Sequence, residues 1–293
     1  MTLAGTQARP RIFGILNVTP DSFSDGGNFF SIERAVAHAK ALVADGADVI
    51  DIGGESTRPG AQPVSADEEL RRVIPVIREL APSIAAKISI DTVKSEVARA
   101  ALDAGAEIVN DVSGMRLDKA MAPLCAEAGC EIVLMHSRGA VAEMASYDLA
   151  KYGDDPVGEI IRELMQHVEA AESAGVEPSR ITIDPGIGFS KRSEHSLAVL
   201  AELSRVVALG YPVLIGVSRK RVVAELVALE RAPAPDPRGI ANEERDAAAV
   251  GINVAAFLSG AAAFRVHDVR RNRRALDAAR KRARGAAPSH AAT

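Results

Sequence analysis

Short apolar runs recur along this chain, and each one stops at a polar residue. Runs rich in Val, Ile, Leu and Phe end at Asn17, Gly53-Gly54-Glu55, Asp91, Asn110-Asp111, His136, Asp184, Ser218 and Arg265-Val266-His267. The pattern predicts strands over residues 11–16, 48–52, 87–90, 107–109, 131–135, 181–183, 212–217 and 263–266. These segments are β-branched and apolar on both faces, as buried parallel strands are.

Helical periodicity fills the intervals. Ser31 to Asp45 carries Ile32, Val36, Ala39 and Val43 at helical spacing, with Ser31 in the N-cap position. Ser65-Ala66-Asp67-Glu68 has the form of a capping box, opening a helix through Leu70, Val73, Ile74, Ile77 and Leu80. Further helices are predicted over 94–104, 118–128, 156–174 and 194–208. Gly46, Gly105, Gly129, Gly175 and Gly210 sit just past helix ends, where glycine takes the left-handed C-cap conformation.

Eight strand–helix units in a row favour a closed (β/α)₈ TIM barrel over an open sheet. Such a barrel needs roughly 250 residues, and the chain has 293. The expected organisation is an N-terminal extension over 1–10, one barrel domain over 11–284 and a disordered tail over 285–293. Connections after the first two strands are long. After the seventh strand the spacing doubles, leaving room for an extra short helix (219–229), a Pro-rich surface connection from Arg231 to Arg238, and a longer helix (242–258). A short extra helix at this place in a barrel often holds an anion at its N-terminus.

Composition narrows the class. Hydrophobic residues are 47% of the chain and aromatic residues only 3%, so the core is aliphatic. The net charge of −4 argues against a nucleic-acid partner. Cys125 and Cys130 match no zinc or redox spacing and read as reduced thiols, which fits a cytoplasmic location. The N-terminal residues lack the apolar core of a signal peptide. No run approaches the ~20 apolar residues of a membrane helix. The basic stretches 270–274 and 281–284 read as the solvated face and end of the last helix.

The polar stops carry the candidate chemistry. Asn17-Val-Thr-Pro-Asp21-Ser-Phe23-Ser-Asp25-Gly26-Gly27 is long and rich in turn formers, which predicts a mobile active-site loop. In Gly53-Gly54-Glu55-Ser56-Thr57-Arg58-Pro59-Gly60 the glycines allow close backbone approach, and Arg58 is a permanent cation suited to phosphate. Asp91, Asn110 and Asp184 stop the third, fourth and sixth strands. Carboxylates accept paired N–H bonds and an amide both donates and accepts, so together they suit a flat heterocycle with an aminopyrimidinone edge. Ser218-Arg219-Lys220-Arg221 opens the short helix with three cations and free backbone N–H groups, a setting for an anion or an electron-rich ring. Arg265 and His267 alternate onto one face of the last strand. His38, His167, His195 and His290 have no evident role, and no His/Glu or Cys/His cluster reads as a zinc site.

Taken together these segments resemble dihydropteroate synthases. The resemblance rests on the Asn17–Gly27 and Asp51–Gly60 loops and on Ser89-Ile-Asp-Thr92, Asn110-Asp-Val-Ser-Gly114, Asp184-Pro-Gly-Ile-Gly-Phe189, Gly216-Val-Ser-Arg-Lys-Arg221 and Arg265-Val-His-Asp-Val269, in order from about Ile12 to Val269. It implies a transferase of folate biosynthesis that condenses 6-hydroxymethyl-7,8-dihydropterin pyrophosphate with p-aminobenzoate, gives 7,8-dihydropteroate and pyrophosphate, and is inhibited by sulfonamides. It implies that Asp91, Asn110, Asp184, Lys220 and Arg265 hold the pterin. Asn17 would bind Mg²⁺, and Asn17, Arg265 and His267 would meet the pyrophosphate. Thr57, Arg58, Phe189, Ser218 and Arg219 would border p-aminobenzoate. Asp25, Arg58, Asp91, Lys220, Arg265 and His267 form the expected catalytic set, and a homodimer is implied.

Positive charge would develop on the pterin methylene if its C–O bond breaks before attack, with the loops closing to exclude water. The segment Met135-His136-Ser137-Arg138-Gly139-Ala140-Val141 departs from the family pattern, which commonly has a second Met and then Thr-Pro after the Gly. A changed loop shape is expected there, and no role is assigned to His136 or Arg138. Two other readings remain open: a methyltetrahydrofolate-binding methyltransferase domain, which needs no pyrophosphate site, and a non-catalytic pterin-binding paralogue.

Overall fold

A computed structural model describes residues 8–19, 28–56, 62–230 and 235–285. Eight parallel strands are joined in the order β6-β5-β4-β3-β2-β1-β8-β7. They are β1 (Arg11–Asn17), β2 (Val49–Gly53), β3 (Lys87–Asp91), β4 (Ile108–Asp111), β5 (Glu131–Met135), β6 (Ile181–Asp184), β7 (Leu214–Ile215) and β8 (Ala263–Val266). A parallel bridge between Ile183 and Val213 joins β6 to the β7 edge and closes the ring. The barrel expected from the strand count is therefore formed.

The pleat decides what lies inside. Val49 packs with Phe13, Ile108, Val133, Leu214 and Ala263 in a cluster that fills the barrel. Ile50 and Ile52 point the other way, into the shell between strands and helices. Strand residues alternate in direction, so Asp51 falls on the same inner face as Val49, one layer higher. At the N-terminal end of the strands, Glu131 receives Arg11 and Lys87, each at 2.6 Å. Charge pairs plug that end, and the open polar end is left at the strand C-termini.

The helices are α1 (Asn28–Ala44), α2 (Ala66–Leu80), α3 (Ser95–Asp103), α4 (Met121–Ala128), α5 (Val141–Met144), α6 (Pro156–Ser173), α7 (Ser193–Ala201), α8 (Leu203–Val207), α9 (Arg221–Leu229), α10 (Asn242–Leu258) and α11 (Val269–Gly285). The five predicted C-terminal glycines all have positive φ, from 61° at Gly129 to 113° at Gly105. Ser65 caps α2 by accepting from the Glu68 N–H at 3.3 Å. Glu68 spends its carboxylate on Arg71 and Arg72.

Four predictions need correction. Helix α1 begins at Asn28, so Ser31 lies inside it rather than at its cap. The predicted 194–208 helix is two helices, broken at Glu202, whose ψ of 26° leaves the helical range. Strand β7 is confined to Leu214–Ile215, because the chain turns at Val217, whose carbonyl accepts from the Lys220 N–H. Arg219 precedes α9 with φ 59° instead of opening it.

Candidate functional site

A cavity of about 1370 Å³ opens at the C-terminal ends of the strands. It is lined by Asn17 from β1, Asp91 from β3, Phe189 from the loop after β6, and Ser218, Arg219 and Lys220 before α9, with Arg265 and His267 from β8 and just beyond it. Asn17, Asp91 and Arg265 lie in the last residues of their strands, so the barrel core fixes their backbone while their side chains reach the opening, and the others stand on the loops that follow the strands. Asn110 and Asp184 are 4% and 5% exposed and lie beneath the cavity lining. Asp25, Thr57 and Arg58 lie outside the described residues.

Arg265 organises the floor. Its Nε donates to Asp51 Oδ2 at 2.5 Å and its Nη2 to Asp91 Oδ2 at 2.7 Å. Asp51 Oδ2 also accepts from Asn110 Nδ2 at 3.1 Å. One carboxylate thus anchors the side chains of two other strands. Burial alone would lower the Arg265 pKa, but Asp51 and Asp91 outweigh it and raise it. Burial pushes Asp91 up to about 7, with Arg265 opposing and Asp51 adding to the rise. Asp184 is likewise raised by burial, against Lys220 and the Gly186 N–H, which donates to its Oδ1 at 2.7 Å.

Lys220 belongs to the same group of charges, its Nζ lying over Gly216 beside Arg265. Its Nζ donates to the Ile187 carbonyl at 2.6 Å and lies 4.3 Å from the centre of the Phe189 ring. Burial lowers its pKa to about 8, while Asp184 and Asp91 support the cation and Arg265 opposes it. Raised carboxylates beside a lowered amine are the signature of charges confined together out of water.

The anion-facing side is built from Ser218, His267 and the first turn of α9. Ser218 Oγ lies 2.9 Å from His267 Nδ1 and accepts from the His267 backbone N–H at 3.2 Å. If Ser218 donates to Nδ1, a neutral imidazole carries its proton on Nε2. Arg221 and Val222, at the start of α9, also line the cavity, and unbonded N–H groups in a first helical turn attract anions. Arg219 makes a two-pronged contact with Asp246 of α10, its Nη2 at 2.9 Å from Oδ2. Its charge is thereby paired directly with a carboxylate.

The atypical β5 loop is shaped by bonds of its own. Ser137 Oγ donates to the Val112 carbonyl at 2.7 Å, and Arg138 pairs with Glu163 of α6 and lies 4.1 Å over the Tyr152 ring. The loop ends in α5, a helix the periodicity gave no sign of. His136 is fully buried and does not line the cavity. Its Nε2 bonds Glu163 Oε2 at 2.9 Å and its Nδ1 meets Lys191 Nζ at 2.7 Å, and burial drops its pKa to about 3.

Sequence reasoning missed Asp51 and Lys191. Both stood inside the quoted motifs or beside them. The signal for Asp51 was its i+2 relation to Val49, which puts a carboxylate inside a parallel strand pair. Glu69 was also missed: it is fully buried and receives Lys94, which also reaches Glu55 at the start of the second loop.

Asn17, the residue expected to meet Mg²⁺, borders the cavity, and no group of three His, Cys, Asp or Glu side chains that could hold a metal exists among the described residues. An amide oxygen fits Mg²⁺ where the ion keeps waters and takes its other ligands from substrate phosphates, as it commonly does.

Comparison with known proteins agrees with this geometry. Residues 13–267 match the family described as pterin binding enzyme. The dihydropteroate synthase of Mycobacterium leprae is 47% identical over 270 residues, covering 92% of this chain and 91% of that protein. That of Bacillus subtilis is 44% identical over 259 residues, covering 88% and 84%. Among solved structures, Xanthomonas albilineans dihydropteroate synthase with 4-aminobenzoic acid superposes with a TM-score of 0.84 at 44% identity, covering 96% of this chain and 95% of that one. The Yersinia pestis enzyme with a sulfonamide drug gives 0.83 at 36% identity, covering 98% and 97%. With its barrel, its polar mouth and this match over most of its length, the chain belongs to the pterin-binding enzyme family.

Proposed function

We infer that this protein is a dihydropteroate synthase, joining 6-hydroxymethyl-7,8-dihydropterin pyrophosphate to p-aminobenzoate with release of pyrophosphate. The observation that carries this reading is the placement, in one cavity, of acidic groups at the barrel floor and an anion-facing set at its rim. Asp91 with Asn110 and Asp184 is suited to the pterin edge, and Ser218, His267 and the start of α9 are suited to a diphosphate. A pterin-binding methyltransferase domain has no use for the second set.

The chemistry follows from charge. Breaking the C–O bond leaves an allylic cation on the pterin methylene and negative charge on the leaving diphosphate. Asp51, Asp91 and Asp184 make the floor electronegative and favour the cation. Arg265, held between Asp51 and Asp91, presents its face to the flat ring and its charge toward the diphosphate, and His267 Nε2–H donates to a phosphate oxygen. Asn17 would help hold Mg²⁺, which when bound would neutralise charge on the diphosphate. Lys220 fixes the wall between the two substrates and, with Phe189, borders the aniline. The arylamine nitrogen is already a nucleophile, so the site has no need of a strong base. Its lost proton passes to solvent or to the released diphosphate.

The ligands named in related structures support the same assignment. The Xanthomonas albilineans enzyme has been seen with 7,8-dihydropteroate, and the Yersinia pestis enzyme with a sulfonamide drug. Sulfonamides, as analogues of p-aminobenzoate, should compete for the Phe189–Ser218 end of the cavity. The test is product identification: purified protein with both substrates and Mg²⁺ should yield 7,8-dihydropteroate by mass spectrometry. Binding of the pterin with no condensation product would instead leave a non-catalytic binding protein.

A further inference from the structure

Lys191 is the only lysine fully buried among the described residues, at 1% exposure. It lies two residues after Phe189, and the chemistry above gives it no task. Its Nζ is ringed by three acceptors: His136 Nδ1 at 2.7 Å, the Phe189 carbonyl at 3.1 Å and the His136 carbonyl at 3.4 Å. An ammonium has three N–H donors and no acceptor, so the cage matches its valence. Behind the imidazole, Glu163 accepts from His136 Nε2 and is itself paired with Arg138. Burial holds the Lys191 amine well below the ordinary lysine value against the pull of Asp184, and a second carboxylate, Glu163, stands behind the His136 ring.

The segment Gly186–Ser190 is held by two lysines. Lys220 grips the Ile187 carbonyl at 2.6 Å from the cavity side and packs on the Phe189 ring. Lys191, which also borders the cavity despite its burial, grips the Phe189 carbonyl at 3.1 Å. The same segment follows Asp184, whose carbonyl accepts from the His136 N–H at 2.9 Å.

We propose that Lys191, backed by His136 and Glu163, is a positioning residue for the arylamine half of the site: it fixes the backbone of Phe189, and through it the ring against which Lys220 and p-aminobenzoate are set. This rests on the synthase reading for its substrate but not for its geometry. Lys191→Met keeps the side-chain length and removes all three donors. It is expected to raise the KM for p-aminobenzoate about tenfold while the KM for the pterin pyrophosphate stays within twofold. A purely structural lysine would lower the melting temperature and the active fraction and leave the ratio of the two KM values unchanged. Glu163→Gln, which leaves the lysine in place, should move the same ratio two- to threefold, and it serves if Lys191→Met does not fold. Hydrogen exchange at the amides of residues 186–190 in the unliganded protein reads the positioning without the reaction. It should quicken about tenfold in Lys191→Met, and to a lesser degree in Glu163→Gln. An unchanged KM ratio together with unchanged exchange overturns the proposal. Altered exchange in a protein without condensing activity would overturn the synthase reading while sustaining the clamp.

Discussion

Arg265 Nε donates to Asp51 Oδ2 at 2.5 Å, and this pair ties the last strand of the barrel to the second across the first. The same oxygen holds Asn110, and the other guanidinium edge holds Asp91. Asp51 Oδ1 has no protein partner and is buried, so the residue's bonding is committed to its neighbours through one oxygen. Asp51→Asn would remove the charge on which two site residues depend. Breaking a buried ion pair costs about 3 kcal/mol or more. We expect a loss of that size in denaturant unfolding and a fall in kcat/KM for the pterin substrate of about a hundredfold. A variant within threefold of wild type would show that Arg265 is positioned by other means.

The titration of the site should be visible in kinetics. Asp91 sits at about 7 and Lys220 at about 8. The productive state needs the carboxylate ionised and the amine protonated, so kcat/KM for the pterin pyrophosphate should rise as pH climbs toward 7 and fall above 8. Each limb changes about tenfold per unit at its steepest, and the values belong to the coupled group rather than to single residues. Stability runs the other way for Asp91. Its folded pKa lies above the unfolded value of about 3.9, so its contribution is fully present below that value and is lost as pH rises through 7. A flat profile from pH 6 to 9 would contradict the assignment.

Gly186 has φ 70°, and a Cβ there would come within 2.0 Å of the His136 carbonyl oxygen. Backbone cannot yield as a flexible side chain would. Strain of this kind costs of order 1–3 kcal/mol before the clash is counted. Gly186→Ala should therefore lose about 3 kcal/mol in equilibrium unfolding and most of its activity, through displacement of Asp184 and Phe189. Gly210→Ala, where φ is 89° but nothing lies within 4 Å, should lose only about 1 kcal/mol, with activity retained.

Asn17 is proposed to serve the diphosphate through Mg²⁺. Calorimetry of pyrophosphate binding with and without the ion should show a Mg²⁺-dependent gain in affinity in the wild type. Asn17→Ala should lose most of that gain while keeping the Mg²⁺-independent part supplied by Ser218, His267 and the start of α9. An undiminished gain would remove Asn17 from the metal site.

The barrel was legible because its strands are buried on both sides, which makes them short unbroken apolar runs, and because each run stops where the side chain reaches solvent. Asn17, Asp91, Ser218, Lys220 and Arg265 could be picked out for the same reason. Asp51 and Lys191 could not, since their meaning depends on direction. Asp51 matters because the pleat turns it inward beside Arg265, and Lys191 because the loop after β6 folds back beneath His136. The break at Glu202 and the helix Val141–Met144 were hidden as well, because local backbone angles and, for the helix, the bonds of Ala140 to Glu143 and of Ser190 to Met144 decide them, not periodicity. His136 reads as a rim residue in sequence, but it is fully buried and does not line the cavity.

The central claim is that pyrophosphate leaves as the pterin is transferred to the arylamine. It is tested most directly by following pyrophosphate release from 6-hydroxymethyl-7,8-dihydropterin pyrophosphate with and without p-aminobenzoate and Mg²⁺, for the wild type and for Lys220→Ala. The account predicts release that requires both additions, matches dihydropteroate formed one for one, and falls at least a hundredfold in Lys220→Ala. Release indifferent to p-aminobenzoate, or near-normal turnover in the variant, would contradict it.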